Sequence, residues 1–167
     1  MTGQPVIRQA RTADVRGIRA LVAPLAERRV LVSKEAVSYY ETLQEFRVAE
    51  RDGRIVGCGA LHVMWEDLAE IRTLAVAPDE LGSGLGGRIL EALVDVARDL
   101  GVGRLFCLTF ETSFFSRHGF SPIEGRAVSP EVYAELLRSY DEGVAEFLDL
   151  ERVKPNTLGN TRMLRIL

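Results

Sequence analysis

The residues of this chain that could do chemistry concentrate between positions 70 and 87, where a strand pattern runs into a glycine-rich loop. Glu70 begins that strand, and the loop reads LGSGLGG before an amphipathic helix starts. Glycine lets the backbone approach an anion closely because it has no Cβ atom. The unpaired N–H groups and the positive dipole at a helix N-terminus attract such an anion. The loop therefore predicts a pyrophosphate site.

The spacing alone leaves four interpretations of the glycines open. A P-loop requires Gly-x-x-x-x-Gly-Lys-Ser/Thr, and no lysine follows these glycines. Gly82, Gly84 and Gly87 match the Gly-x-Gly-x-x-Gly spacing of a dinucleotide-binding fold. That motif follows the first strand of a βαβ unit, whereas this one lies mid-chain after a pattern typical of an antiparallel meander. A loop that binds acyl-CoA and a plain glycine turn that caps a helix are the remaining interpretations.

The elements that must position this loop alternate along the chain. Thr12 is the predicted N-cap of a first helix, Asp52-Gly53 predicts a hairpin turn, and Ser129-Pro130 begins a late helix. The helix after the loop has a predicted apolar face made of Ile89, Leu90, Leu93, Val96, Ala97 and Leu100. Strands are predicted at 5–9, 46–50, 54–64, 70–76, 104–109, 119–123 and 161–167, and further helices at 35–44 and 112–117, while 141–160 is ambiguous. This order predicts a mixed sheet flanked by helices, in the α/β or α+β class.

Two separated motifs resemble the GNAT superfamily of N-acetyltransferases. The segment V-x-P-x-x-x-G-x-G-x-G from Val76, followed by a helix, resembles the family motif Gln/Arg-x-x-Gly-x-Gly/Ala. Gly84 and Gly86 match that motif, but Leu81 occupies the Gln/Arg position, so one long polar phosphate ligand is missing. The run FFSRHGF resembles the aromatic-rich turn of the family, and Phe115 stands where many members carry a tyrosine that protonates the CoA thiolate. The general acid is therefore unassigned.

The runs GCGALHV, EIRTLAVAP, RLFCLT and FFSRHGF together resemble the acetyltransferase domain of N-acetylglutamate synthases, which open bacterial arginine synthesis. The likeness covers about residues 5–125 and the last strand. It implies one GNAT domain over residues 1–167, with a mixed sheet of about six or seven strands that is splayed at the acetyl-CoA site. The chain resembles the short, stand-alone form of these enzymes, which lacks their kinase-like domain.

The resemblance also implies a set of acetyl-CoA residues and a catalytic base. Glu70 matches the position of the carboxylate that takes a proton from the substrate ammonium, and Glu66 and Asp67 are weaker candidates. The strand after Glu70 would contact the cofactor through its backbone, and its N–H groups would stabilise the acetyl oxygen. The implied cofactor-binding residues are Leu74, Ala75, Val76, Leu81, Gly82, Ser83, Gly84, Leu85, Gly86, Gly87 and Phe115.

An amino-acid substrate with two carboxylates requires cationic and polar groups around it. Lys34 and Thr109 match substrate-side positions of the synthase family, and Arg72 shares the Glu70 face by strand periodicity. The implied substrate-binding residues are Lys34, His62, Arg72, Thr109, Lys154, Asn160 and Arg162. His62 also fits a hydrogen-bonded structural role, and the other residues also fit solvated or ordinary strand positions.

Composition excludes several classes of protein. Lys and Arg number 21 against 24 Asp and Glu, so the net charge of −3 argues against a nucleic-acid binder. Two cysteines, Cys58 and Cys107, lie in apolar strand patterns and are expected to be buried and inert, and with two histidines they disfavour a zinc site. Without a signal peptide or membrane-spanning run, we expect a cytoplasmic enzyme that uses acetyl-CoA and no metal. Apolar residues on the C-terminal elements leave a homodimer open.

The alternatives still open concern the acceptor and the activity itself. The acceptor could be glutamine or another small amine, since glutamine differs from glutamate only at the distal amide. A non-catalytic acetyl-CoA sensor is the second alternative, and Leu81 and Phe115 are the departures that favour it. A dinucleotide binder is the third, and the hairpin signals oppose it.

Overall fold

The computed structural model of the protein describes residues 3–28, 34–153 and 159–167. Its strands are β1 (Val6–Gln9), β2 (Phe46–Arg51), β3 (Arg54–Trp65), β4 (Leu68–Val76), β5 (Arg104–Thr109), β6 (Ser121–Pro122) and β7 (Thr161–Ile166). Its helices are α1 (Val15–Glu27), α2 (Ala36–Glu41), α3 (Leu85–Leu100), α4 (Thr112–Arg117), α5 (Pro130–Leu136) and α6 (Glu142–Phe147). Short 3₁₀ turns cover Thr12–Asp14, Leu43–Glu45, Pro78–Glu80 and Glu151–Val153.

The strands form a seven-stranded sheet in the order β1-β2-β3-β4-β5-β7-β6. The pairs β1/β2, β2/β3, β5/β7 and β6/β7 are antiparallel, whereas β4 and β5 are parallel. The parallel register joins Leu68–Glu70 to Arg104–Phe106. The predicted mixed sheet flanked by helices is therefore confirmed, with seven strands at the upper end of the expected number. In the described part of the chain, no helix combines the length and hydropathy that a bilayer crossing requires.

The turn between β2 and β3 has the backbone conformation that its sequence predicts. Asp52 and Gly53 both have positive φ, at 52° and 78°. A two-residue hairpin loop of this kind needs positive φ at both positions, which Asp and Gly tolerate better than most residues. The turn brings Arg51 and Arg54 opposite each other at the end of the β2/β3 ladder.

Contacts within the chain divide it into two compact units, and the first consists of Met1–His62 with Ile71–Leu100. Its core joins residues of α1, β2 and β3, including Ile18, Val48 and Cys58. In α3 of the same unit, the buried face is formed by Leu85, Ile89, Leu90, Leu93, Val94 and Ala97. The prediction that Leu100 belongs to this face is wrong, since Leu100 is 59% exposed at the end of the helix.

Glycines of β3 bring the strand backbone close to α3. A Cβ atom at Gly59 would lie 2.9 Å from Leu93 Cδ1, 3.1 Å from Ile89 Cγ2 and 3.1 Å from Leu74 Cδ1. At Gly57 it would lie 2.6 Å from Ile89 Cδ1. A side chain at either position would therefore push α3 away from the strand, and packing requires glycine at both positions.

The N-terminal residues of the first unit correct one prediction. Thr12 is not the N-cap of α1, because Thr12–Asp14 form a 3₁₀ turn and α1 begins at Val15. Asp14 is the residue that organises this turn, since its Oδ2 accepts a hydrogen bond from the Arg11 N–H at 2.7 Å. Its carboxylate also accepts two hydrogen bonds from Arg8, at 2.7 and 3.0 Å, while Arg8 Nε donates to Glu50 at 2.8 Å.

The second unit consists of Val63–Glu70 with Gly101–Leu167. Its core is centred on Phe106 and Phe147, whose rings meet edge to face at 5.1 Å. The helix predicted to start at Ser129-Pro130 is α5, which begins at Pro130, and the Ser129 side chain caps it by accepting a hydrogen bond from the Val132 N–H. The ambiguous stretch 141–160 contains α6, capped by Asp141, and the strand predicted at 119–123 is reduced to the two residues of β6.

We predict that Gly59→Ala destabilises the protein by about 1–3 kcal/mol, because the added methyl group meets three buried side chains. Chemical denaturation of the variant and the native protein measures this difference. Gly103→Ala is the matched control, since a Cβ atom there has no neighbour within 4 Å. That change should be neutral or stabilise by about 0.4–1 kcal/mol. Equal stability of the two variants would contradict the packing requirement at Gly59.

We predict that Asp14→Asn lowers the stability at neutral pH and that the loss disappears in acid. The hydrogen bonds from Arg8 hold the pKa of Asp14 below its ordinary value of 3.8. A carboxylate with a depressed pKa stabilises the fold above its unfolded-state pKa, and this contribution vanishes as the pH falls through the folded-state pKa. Urea denaturation between pH 7 and pH 2 measures the difference. Asp95→Asn, at an exposed pair with Arg98, is the control and should change stability little at any pH.

Candidate active site

The glycine-rich loop connects β4 to α3 through two glycines in the left-handed region. The Ala77 N–H donates to the Val56 carbonyl at 2.8 Å, which fixes the end of β4 before the 3₁₀ turn at Pro78–Glu80. Gly82 and Gly84 follow, with φ values of 81° and 85°. A Cβ atom at either position would point into open space, so backbone conformation rather than crowding requires glycine here.

The first turn of α3 presents backbone donors beside this loop. The Leu85 N–H donates to Ser83 Oγ at 3.3 Å, and the Arg88 N–H donates to the Gly84 carbonyl at 3.1 Å. Within the described chain, this leaves the N–H groups of Gly86 and Gly87 as the first-turn donors that a ligand can use. Leu81, which is 70% exposed, adds no polar group. An anion at this helix end would therefore depend on backbone N–H groups.

Thr73 interrupts the regular geometry of β4 immediately before the residues predicted to contact a thioester. Its φ is 53°, which is unusual for a β-branched residue and costs about 1–3 kcal/mol. Two contacts hold it: Lys34 Nζ donates to Thr73 Oγ1 at 3.2 Å, and Cys58 Sγ donates to the Thr73 carbonyl at 3.3 Å. Sequence reasoning missed Thr73, because a threonine within a strand pattern gives no signal of positive φ.

Both cysteines are buried, as expected. Burial raises the pKa of Cys58 to about 12, so the thiol keeps its proton and can donate to Thr73. Burial also raises the pKa of Cys107, with a smaller contribution from the nearby Glu70 carboxylate. Neither thiol has the lowered pKa of a nucleophile. No cluster of three or more His, Cys, Asp or Glu side chains suited to a metal occurs among the described residues.

Glu70 lies inside β4 and is only 4% exposed. In the parallel register it faces Phe106 of β5. Arg72 lies two residues further along the same strand and is half-buried. Glu70 therefore lies on the strand that leads to the loop predicted to bind an anion, and its role as a base stays a prediction.

The predicted substrate residues of the second unit lie near the ends of β5 and β7. Thr109 is the last residue of β5, and its Oγ1 accepts a hydrogen bond from the Glu111 N–H at 2.8 Å. Arg162 of β7 donates to the carbonyls of Glu146 and Gly125 at 3.2 Å each, and also to that of Phe147. Burial lowers the pKa of Arg162. Asn160, just before β7, is half-buried, and Lys154 lies outside the described residues.

Two further predicted residues have contacts that favour a structural role. His62 Nδ1 lies 3.0 and 3.1 Å from the two carboxylate oxygens of Glu45. Phe115 is buried in α4, and its ring meets those of Phe114 and Phe120 edge to face at 5.1 Å each. Their assignments to substrate and cofactor stay predictions.

The sequence and the structure are similar to those of known acetyltransferases. The amino-acid acetyltransferase of Mycobacterium tuberculosis is 57% identical over 98% of this chain and 95% of its own length. A crystal structure of Rv2747 from Mycobacterium tuberculosis in complex with CoA and NLQ superposes with a TM-score of 0.93, at 57% identity, over 98% of this chain and 99% of that one.

Longer relatives match over part of their length. The amino-acid acetyltransferase of Neisseria meningitidis is 39% identical over 68% of this chain, and the matched part makes up 27% of that relative's length. The N-acetylglutamate synthase of Neisseria gonorrhoeae, solved with coenzyme A and N-acetyl-glutamate, has a TM-score of 0.79 and 28% identity over 99% of this chain and 35% of that one. Residues 20–120 match the Acetyltransferase (GNAT) family. The sequence motifs, the sheet order and these matches agree, and the chain belongs to the GNAT family of acetyltransferases.

Proposed function

We propose that the protein transfers the acetyl group of acetyl-CoA to the α-amino group of L-glutamate, the reaction that opens arginine biosynthesis. The proposal assigns this activity to residues 1–167 as one catalytic domain in the cytoplasm. The observation that carries it is the loop at Gly82–Gly87, whose backbone donors suit a pyrophosphate. The names of the relatives from Mycobacterium tuberculosis and the two Neisseria species support the amino-acid acceptor and the CoA ligand.

In this mechanism the pyrophosphate of acetyl-CoA accepts hydrogen bonds from Gly86 and Gly87 at the start of α3. The thioester lies along the backbone of Leu74–Val76, where an N–H group stabilises the oxyanion that forms on the acetyl carbonyl. The left-handed Thr73 sets the direction of those N–H groups, and Lys34 and Cys58 hold Thr73.

Glu70 accepts a proton from the substrate ammonium, directly or through a water molecule. The neutral amine then attacks the thioester carbon, a C–N bond forms, and the C–S bond breaks to release the CoA thiolate. The nitrogen then loses its second proton and the thiolate takes up one, which Phe115 cannot give, so the net reaction releases CoA thiol and one proton. The product is the N-acetylated amino acid.

Cationic side chains favour glutamate over glutamine as the acceptor. Lys34 is fixed at Thr73 and Arg72 lies two residues beyond Glu70, so both are candidates to bind a carboxylate. Arg162 donates to carbonyl groups through Nε and Nη2. Among the described residues, its two Nη1 hydrogens have no such partner and could bind a carboxylate. Thr109 and Asn160 complete the proposed polar set.

We expect purified protein to release CoA thiol from acetyl-CoA fastest with L-glutamate as the acceptor. A thiol-release assay with glutamate, glutamine, ornithine, spermidine and no amine in parallel measures the acceptor preference. Faster turnover with glutamine would overturn the glutamate assignment while leaving the amino-acid acetyltransferase reaction in place. Binding of acetyl-CoA without turnover of any amine would overturn the catalytic proposal and favour an acetyl-CoA sensor.

We expect Glu70→Gln to lower kcat by about 10²–10⁴-fold, because the amide cannot accept the proton of the ammonium group. Steady-state kinetics gives kcat, and isothermal titration calorimetry gives the dissociation constant of acetyl-CoA, which should not change. Glu66→Gln tests the weaker candidate for the base, and we expect it to leave kcat unchanged because this carboxylate is exposed at the turn before β4. An equal kcat in both variants would remove Glu70 from the mechanism.

A further inference from the structure

We propose that the ion pair between the partly exposed Arg51 and the buried carboxylate of Glu80 holds the glycine-rich loop in its binding conformation, so that both are positioning residues for acetyl-CoA. The identity of the ligand rests on the proposed function. The sequence motifs specify neither Arg51 nor Glu80, and they do not predict the contact between them. It also assigns a role to the only strongly buried carboxylate of the 3₁₀ turn at Pro78–Glu80.

The ion pair joins the end of β2 to the segment before the loop. Glu80 is only 3% exposed, and Arg51 Nη1 contacts its Oε1 while Arg51 Nη2 donates to Oε2 at 3.3 Å. Arg51 Nε also donates to the Gly3 carbonyl at 3.1 Å. The guanidinium is therefore held on two sides. A buried carboxylate is stable only when such a partner compensates for its lost hydration.

Ser83 transmits the position of Glu80 to the start of α3. Ser83 N–H donates to the Glu80 carbonyl at 3.2 Å, and Ser83 Oγ donates to the same carbonyl at 2.6 Å. Ser83 Oγ in turn accepts the Leu85 N–H at 3.3 Å and lies 3.5 Å from Glu80 Oε2. A continuous set of contacts thus runs from β2 through Glu80 and Ser83 to the first backbone donor of the helix.

The negative charge of Glu80, taken alone, would weaken the binding of a pyrophosphate at the glycine-rich loop. A carboxylate near an anion-binding loop repels a pyrophosphate, and the paired Arg51 offsets that repulsion. Leu81 supplies no polar side chain, so the affinity depends on how well the backbone donors are placed. The positioning role and the charge therefore predict opposite effects when Glu80 is neutralised: loss of positioning weakens binding, whereas loss of negative charge strengthens it.

The chain contains a matched control in the neighbouring pair of Arg54 with Asp79. Arg54 follows the hairpin turn that Arg51 precedes, and Asp79 precedes Glu80 in the same 3₁₀ turn. The atoms Arg54 Nη1 and Asp79 Oδ2 lie 3.3 Å apart, but the side chains are 61% and 60% exposed. An exposed pair of this kind contributes little to structure. Asp79→Asn removes the same charge as Glu80→Gln one residue away.

The test compares Glu80→Gln, Ser83→Ala and Asp79→Asn by calorimetric titration with acetyl-CoA and by steady-state kinetics. We expect Glu80→Gln to raise the KM and the dissociation constant for acetyl-CoA about tenfold, and Ser83→Ala to raise them about threefold. The kcat and the KM for the amino acid should stay within about twofold in both, and Asp79→Asn should match the native protein. Arg51→Lys should retain an intermediate affinity, because lysine keeps the charge without the paired donors.

Each outcome decides the proposal. Unchanged or tighter acetyl-CoA binding by Glu80→Gln would overturn it. Should Glu80→Gln fail to fold, Arg51→Lys decides, because Arg51 lies outside the residues expected to touch acetyl-CoA, and native affinity in that variant would overturn the proposal. Equal losses of kcat and of affinity for both substrates would indicate general destabilisation and overturn the positioning role. Failure of the native protein to bind acetyl-CoA would instead overturn the proposed function, and the two failures are thereby distinguished.

Discussion

The close approach of α3 to β3 is the constraint on which the rest of the cofactor loop depends. Gly57 and Gly59 leave no room for a Cβ atom beneath Ile89 and Leu93, so the helix lies directly against the strand backbone. The axis of α3 sets where its first-turn N–H groups point. The packing of α3 against β3 therefore determines the direction of the N–H groups of Gly86 and Gly87, although neither glycine belongs to the core.

A second constraint is local strain in β4. Thr73 adopts a positive φ at a cost of about 1–3 kcal/mol, and no neighbouring glycine relieves it. The Lys34 ammonium and the Cys58 thiol each donate to Thr73, so buried polar contacts offset the cost. The protonated Cys58 thiol can donate here, which a thiolate could not. A cysteine without catalytic character can thus support the geometry of β4.

The sequence predicts those parts of the fold whose signals are local. Asp52-Gly53 determines its own turn, and the apolar spacing after the glycines determines α3, because both depend on residues adjacent in sequence. The prediction of Thr12 as an N-cap is wrong because Asp14 organises this turn instead. Asp14 accepts hydrogen bonds from the Arg11 N–H and from the Arg8 side chain on β1. Leu100 fits the helical period, but it is the last residue of α3 and its side chain is 59% exposed. The contacts of Thr73, and the pairing of Arg51 with Glu80 across 29 residues, have no local signal at all.

Leu81 explains why these non-local contacts matter. Its side chain offers no polar group, although the family motif has glutamine or arginine there. Under the proposed function, the binding energy for the pyrophosphate comes from backbone donors, which unlike a long flexible side chain cannot adjust to the ligand. Donors that cannot adjust have to be placed in advance, because binding that requires reordering loses affinity. An ion pair whose buried Glu80 carboxylate costs desolvation energy is reasonable under that condition. Its contribution is the geometry of Ser83 and the first turn of α3 rather than the stability of the fold.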